Sequence, residues 1–168
     1  MLSRKRSAFT LIEILVVIII MAILISISMA NYIGAQIKAK LVTVKENMHA
    51  CQVASESYAT DSDGLFAGTA ADLGPFYPGG GGTPGSSGGN FPTNPFSNVN
   101  NETPVDNGVS DVQGARAGAV ASRQQGQTGY APIAVAGQNT SYSITGYDNA
   151  GVALIGPRAG TCMVLSNQ

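Results

Sequence analysis

The 168-residue chain has no tryptophan, a single histidine, two cysteines and only 11% charged residues. His49 stands without a second imidazole or a cysteine pair at ligand spacing, so the usual zinc sets are excluded and a solvated helix position is the better reading. Nine Lys/Arg against ten Asp/Glu give a net charge of −1, with no basic patch interleaved with aromatics, which argues against nucleic acid as a partner. Between Met21 and Pro75 there is no proline, and Gly34 is the only glycine before Gly64, so little interrupts a helix there. The length allows one domain with a modest core. No acid–base, metal or Ser/His/Asp constellation is present, and an enzyme is not expected.

What the chain does have is a long apolar run. A short basic leader, MLSRKRSA, meets FTLIEILVVIIIMAILISISMA, and from Leu11 to Met29 the only polar side chains are Glu13, Ser26 and Ser28. That length is close to the roughly 20 residues a helix needs to cross a bilayer. A carboxylate inside such a run is costly, about 2.5–3.5 kcal/mol at mid-membrane on insertion scales, so something must compensate Glu13. Three readings compete. A secretory signal peptide would be cut after a small-residue site, which Ser26, Ser28 and Ala30 imitate. A plain signal anchor would be retained but gives Glu13 no purpose. The third reading cuts between Ala8 and Phe9 and keeps the whole apolar helix. Arg4, Lys5 and Arg6 on one flank face Lys38, Lys40 and Lys45 on the other, a slim charge bias. The large C-terminal part is the one expected to be translocated.

At Ala8, Phe9, Thr10, Leu11, Ile12 and Glu13 the chain resembles the type IV pilin and type II secretion pseudopilin family. The match covers about the first 30 residues: a short basic leader, a small residue, F-T-L-I-E and a long apolar stretch. The family has glycine before the scissile bond, where this chain has Ala8. The resemblance implies cleavage before Phe9 by a prepilin peptidase, N-methylation of Phe9, and assembly by an inner-membrane platform into a homo-oligomeric filament with other pilins. Glu13, fifth in the mature chain, would pair with the new α-ammonium of a neighbouring subunit, whose reference pKa is about 7.7–8.0. A first-turn carboxylate favoured by the dipole of its own helix is the plainer alternative. Loss of Arg4, Lys5 and Arg6 with the leader would take the net charge to −4.

Beyond the apolar run, Ile33, Ile37, Leu41, Val44, Met48, Cys51 and Tyr58 recur at threes and fours, with a gap at Ser55. That is the stripe of an amphipathic helix. One helix over residues 9–60 would reach roughly 75–80 Å, with a transmembrane part at about 11–30. Asp61-Ser62-Asp63-Gly64 ends it, with Gly64 suited to the left-handed cap. Asp61-x-Asp63-Gly64 also begins like an EF-hand loop, but no glutamate follows at the required distance.

Residues 61–128 read as a Gly/Pro/Ser-rich variable loop region. PGGGGTPGSSGGN is compositionally a flexible linker. Phe91-Pro92-Thr93-Asn94-Pro95-Phe96 reads as a rigid turn or docking element, with Phe76, Tyr77, Phe91 and Phe96 as anchors. Ala115 to Ala121 suggests a short helix. Residues 129–168 suggest a small antiparallel sheet with strands at Tyr130–Val135, Ser141–Tyr147, Val152–Ile155 and Thr161–Leu165, and a hairpin connection at Asp148–Gly151. The expected architecture is therefore α+β, a pilin-like lollipop with the long helix packed on that sheet.

Cys51 on the stripe and Cys162 in the last strand would meet if that strand crosses the helix. In an exported chain such a bridge is worth roughly 4–5 kcal/mol, the alternative being two free thiols. No cofactor is expected. Some pseudopilins bind calcium, and Asp106, Asp111 and Asp148 are available, though no spacing singles them out. Asn101-Glu102-Thr103 and Asn139-Thr140-Ser141 match the glycosylation acceptor pattern, a short signal. The expected role is a structural filament subunit inserted as a single-pass inner-membrane protein before assembly, then a periplasmic or cell-surface filament. A minor tip subunit or adhesin, and a membrane-anchored exported binding domain, are the alternatives.

Overall fold

The computed structural model describes residues 9–78, 80, 91–99, 102–106, 109, 111–118, 123–158 and 160–167. Ala8 with the rest of the leader, most of the Gly-rich tract, Asn101 and the 119–121 end of the expected short helix lie outside them. The chain divides into two compact units, residues 1–38 and 39–168.

The first unit holds the start of helix α1 (Leu11–Asp61). Its residues are apolar all round, and every described residue from Phe9 to Met29 is exposed. A helix built this way has no preferred face to bury in its own chain.

The second unit contains the rest of α1, a 3₁₀ helix (Ala70–Phe76), strand β1 (Val105–Asp106), helix α2 (Val112–Arg116) and strands β2 (Thr128–Val135), β3 (Gln138–Gly146) and β4 (Val164–Leu165). The stripe takes hold at Leu41. Val44, Met48 and Cys51 are fully buried, while Leu41 and Tyr58 pack on the core half-buried. The gap at Ser55 is buried as well, because its hydroxyl turns back to the Cys51 carbonyl at 2.8 Å and leaves no free polar group. α1 ends as the turn residues require. Asp63 and Gly64 take φ of +53° and +84°, and the Gly64 N–H donates to the Ala59 carbonyl.

The sheet runs β1-β2-β3-β4 and is mixed rather than antiparallel. β2–β3 and β3–β4 are antiparallel, but β1 pairs with β2 in parallel at only two positions. Pro132, two residues past the last β1 pair, has no N–H to offer a longer ladder. Ala136 and Gly137, both at positive φ, make the two-residue turn between β2 and β3. Val152–Ile155 does not form the expected strand: it contributes two isolated bridges, Tyr147 to Ala153 and Ile155 to Cys162. The Asp148–Gly151 connection holds, with the Asp148 Oδ1 accepting from the Ala150 and Val152 N–H groups. The short helix begins at Val112, earlier than Ala115, because Asp111 caps it through the Gly114 N–H.

Tyr142, Ile144 and Gly146 alternate onto the α1 side of β3, where Tyr142 stacks edge-on against Phe66 with ring centroids 4.8 Å apart. The Tyr142 hydroxyl donates to Glu56 on α1, and the Tyr130 hydroxyl donates to the Ala67 carbonyl at 2.9 Å. The loop region is anchored by the expected aromatics. Phe76, Phe91 and Phe96 pack on the core, Tyr77 is buried in it, and Lys40 lies over the Phe96 ring at 5.3 Å. Asn94 fixes the turn, its Oδ1 accepting from the Phe96 and Ser97 N–H groups. Asn47 of α1 donates to the Thr93 carbonyl at 3.0 Å.

Burial pushes the Cys51 thiol up to about 12, with the Tyr77 and Ser55 hydroxyls offsetting part of the rise. Burial likewise raises Tyr77, Tyr130 and Tyr142 above the ordinary phenol range. Below about pH 9 all four are neutral whether the chain is folded or not. Above it the unfolded thiol ionises while the folded one resists, so stability is lost as pH rises toward 12. The slope is about 1.4 kcal/mol per pH unit for each group that ionises only on unfolding. Melts followed by circular dichroism should show the midpoint falling above pH 9, and Cys51→Ala should delay that fall to the phenol range near pH 10.

Candidate assembly site at the start of the long helix

Thr10 precedes the first helical residue and accepts the Glu13 N–H on its carbonyl (3.1 Å) and hydroxyl (3.4 Å). Thr10-Leu11-Ile12-Glu13 thus has the spacing of a capping box, a local signal that sequence reading alone passed over. Glu13 lies in the first turn of α1, where the helix dipole favours a carboxylate by about 0.3–1 kcal/mol. That is less than the cost of about 2.5–3.5 kcal/mol for a carboxylate at mid-membrane.

Phe9 is 75% exposed, and the apolar surface from Leu11 onward is unpartnered in this chain. α1 is one helix long and apolar enough to cross a membrane, with none of its most apolar window buried. A terminal amine at Phe9, four residues before Glu13 and just ahead of the helix, would put opposite charges near the start of α1 in every copy. Side by side, such helices would bury both the apolar surface and the charges.

The remaining sequence-derived candidates have ordinary surroundings. Cys51 and Cys162 are not joined: both are free thiols. Cys51 points into the core beside Tyr77, whose hydroxyl completes no hydrogen bond of good geometry. Cys162 is half-buried at its bridge with Ile155, on the segment that leads into β4 at the sheet edge. Iodoacetamide should therefore label Cys162 in the folded chain and Cys51 only after unfolding, read by peptide mass spectrometry. His49 is exposed on α1 with Nδ1 at 3.2 Å from Gln52 Oε1. Of the carboxylates considered for calcium, Asp111 caps α2 and Asp148 accepts from its own turn. Asp106 lies in β1, and its carbonyl accepts from the Arg123 guanidinium. Among the described residues no group of three or more His, Cys, Asp or Glu side chains is placed to hold a metal. Asn139 lies in β3, where its carbonyl accepts from the Phe66 N–H.

No curated protein and no solved structure matches the chain. One family model does: the prokaryotic N-terminal methylation motif, over residues 3–29. That segment contains Ala8, Phe9 and Glu13 and the exposed apolar start of α1. Residues 3–29 therefore carry the N-terminal methylation motif that is the type IV pilin and pseudopilin signature.

Proposed function

We propose that this protein is a structural subunit of a type IV pilus or pseudopilus filament, cleaved before Phe9, N-methylated there and assembled through α1. The observation that carries the reading is a coincidence of positions. The methylation motif covers residues 3–29, and within it residues 9–29 are exposed and, apart from Thr10, Glu13, Ser26 and Ser28, apolar. Removal of the leader creates an ammonium that pairs with Glu13 of a neighbouring subunit. The role is structural, with no reaction assigned to any side chain.

Expression in a host with a prepilin peptidase and an assembly platform tests this. Shearing should release filaments in which this chain is the abundant component. A chain scarce in the filaments would instead be a tip subunit or adhesin. One found only in the membrane fraction, with no filaments, would be an anchored binding domain.

A further inference from the structure

Among the described residues three buried hydroxyls complete no hydrogen bond of good geometry: Tyr77, Thr145 and Tyr147. Thr145 and Tyr147 are two positions apart, and the phenol has the Thr145 hydroxyl and the Arg123 guanidinium within reach. Tyr77 is different. It is 2% exposed, and the polar group beside its hydroxyl is the Cys51 thiol, whose sulfur is only a weak acceptor and donor. A phenol buried with that neighbour alone keeps most of the cost of its lost hydration, so a better partner is expected.

Tyr77 lines a cavity of about 10 Å³, the size that a single water molecule needs. Four segments of the fold meet there. Asn47 comes from α1, Tyr77 from just past the 3₁₀ helix, Glu102 from the approach to β1, and Thr128 from the first position of β2.

The polar groups of the wall divide evenly into donors and acceptors. Asn47 Nδ2 donates to the Thr93 carbonyl at 3.0 Å, which leaves Oδ1 as its acceptor. Glu102 Oε1 accepts from Gln127 at 3.0 Å, and the second carboxylate oxygen is a further acceptor. Tyr77 and Thr128 supply hydroxyls that can donate. Asn94, also in the wall, is already committed: its Oδ1 accepts from the Phe96 and Ser97 N–H groups, and its Nδ2 donates to the Gln125 carbonyl. Two donors and two acceptors around a water-sized space match the two to four hydrogen bonds that a buried water makes. The Glu102 carboxylate disfavours an anion there. One carboxylate shared with Gln127 is also a poor match for calcium, which takes roughly six to eight oxygen ligands.

We propose that this cavity binds one ordered water molecule, which accepts from the Tyr77 and Thr128 hydroxyls and donates to Asn47 Oδ1 and the Glu102 carboxylate. The water is a structural ligand of the C-terminal unit. It joins α1, the end of the 3₁₀ segment and β2 to the stretch just ahead of β1. β1 pairs with β2 at only two positions, so bonds at Glu102 help to hold it there. The site is independent of the filament reading, and failure of either leaves the other intact.

The full-length protein in detergent is the sample for the test. A high-resolution crystal structure should show one water with at least three of the four groups at hydrogen-bond distance. In circular dichroism melts, Tyr77→Phe should lower the midpoint by a few degrees, because the water loses a partner. The loss should persist in a Cys51→Ala background, which separates the water from the thiol. Thr128→Val should couple to it, the double variant losing less than the sum of the two singles. Midpoints should be the same in sodium, potassium and calcium chloride at equal ionic strength. A Tyr77→Phe chain as stable as its parent in both backgrounds, or more so, would overturn the proposal, because the hydroxyl would then be an orphan whose removal costs nothing. Wild-type crystals with no water at the site would overturn it too. So would a midpoint that rises with one cation in the wild type but not in Tyr77→Phe, which would assign the cavity to a metal ion. The crystal structure needs only the wild-type chain, so a variant that fails to fold does not blunt it.

Discussion

Glu13→Ala is expected to leave the protein in the membrane and remove it from the sheared filament fraction. The substitution makes the apolar run more apolar, so insertion is retained or improved. What is lost is the partner of the Phe9 ammonium. Removing one member of a buried ion pair costs about 3–5 kcal/mol, because the other charge stays behind uncompensated. At about 1.4 kcal/mol per decade, each subunit contact weakens on the order of 10²- to 10³-fold. A filament needs that contact at every step, so the deficit is repeated in each added subunit. Thr10→Ala provides the contrast. It removes only a cap bond worth about 1 kcal/mol and should leave filaments in place. Cell fractionation followed by immunoblotting of sheared and membrane material reads both variants. Filaments at wild-type yield in Glu13→Ala would assign Glu13 to the plainer role of a first-turn charge.

Gly146→Val is expected to destabilise the C-terminal unit more than any other single side-chain addition on its sheet face toward α1. A Cβ at Gly146 would lie 2.5 Å from the Met48 sulfur, 2.9 Å from Val44 Cγ1 and 3.1 Å from Leu154 Cδ1. Val44 and Met48 are fully buried and Leu154 nearly so, leaving no direction in which they can move freely. The cost is one of packing, since Gly146 is not among the glycines with positive φ. Overpacking of this kind costs about 1–3 kcal/mol, and the two γ-methyls of valine place it at or above the upper end. The melting midpoint should fall by roughly 10 °C, with Gly146→Ala intermediate. Circular dichroism melts at neutral pH, where Cys51 and the buried tyrosines are uncharged, isolate this packing effect. An unchanged midpoint would mean that β3 does not approach α1 as closely as described.

The parts of this protein that were legible in sequence are those with a strong local period or a local punctuation mark. The stripe through Val44, Met48 and Cys51 gave the buried face of α1, and Gly64 gave its end. The Asn94-Pro95-Phe96 turn was legible because asparagine caps its own backbone. β1 was not, since two residues pairing in parallel with a distant strand leave no local pattern. Val152–Ile155 carried strand-forming residues but found only isolated bridges, a tertiary outcome that propensity does not encode. The Cys51–Cys162 pairing assumed that the last strand crosses α1. Instead the sheet order puts β4 at an edge, beside β3, with Cys51 facing the tyrosines of the core. At the candidate site, Phe9 and Glu13 were readable from the motif. The Thr10-x-x-Glu13 capping spacing was legible too, although only the backbone shows its bonds.

The measurement closest to the central claim is the mature N-terminus, read by intact-mass and peptide mass spectrometry of the membrane and sheared fractions. The account predicts a chain beginning at Phe9, lacking residues 1–8 and carrying one methyl group on its terminal nitrogen. A chain retaining its leader, or one beginning after Ala30, would contradict it, because neither could offer a Phe9 ammonium to Glu13.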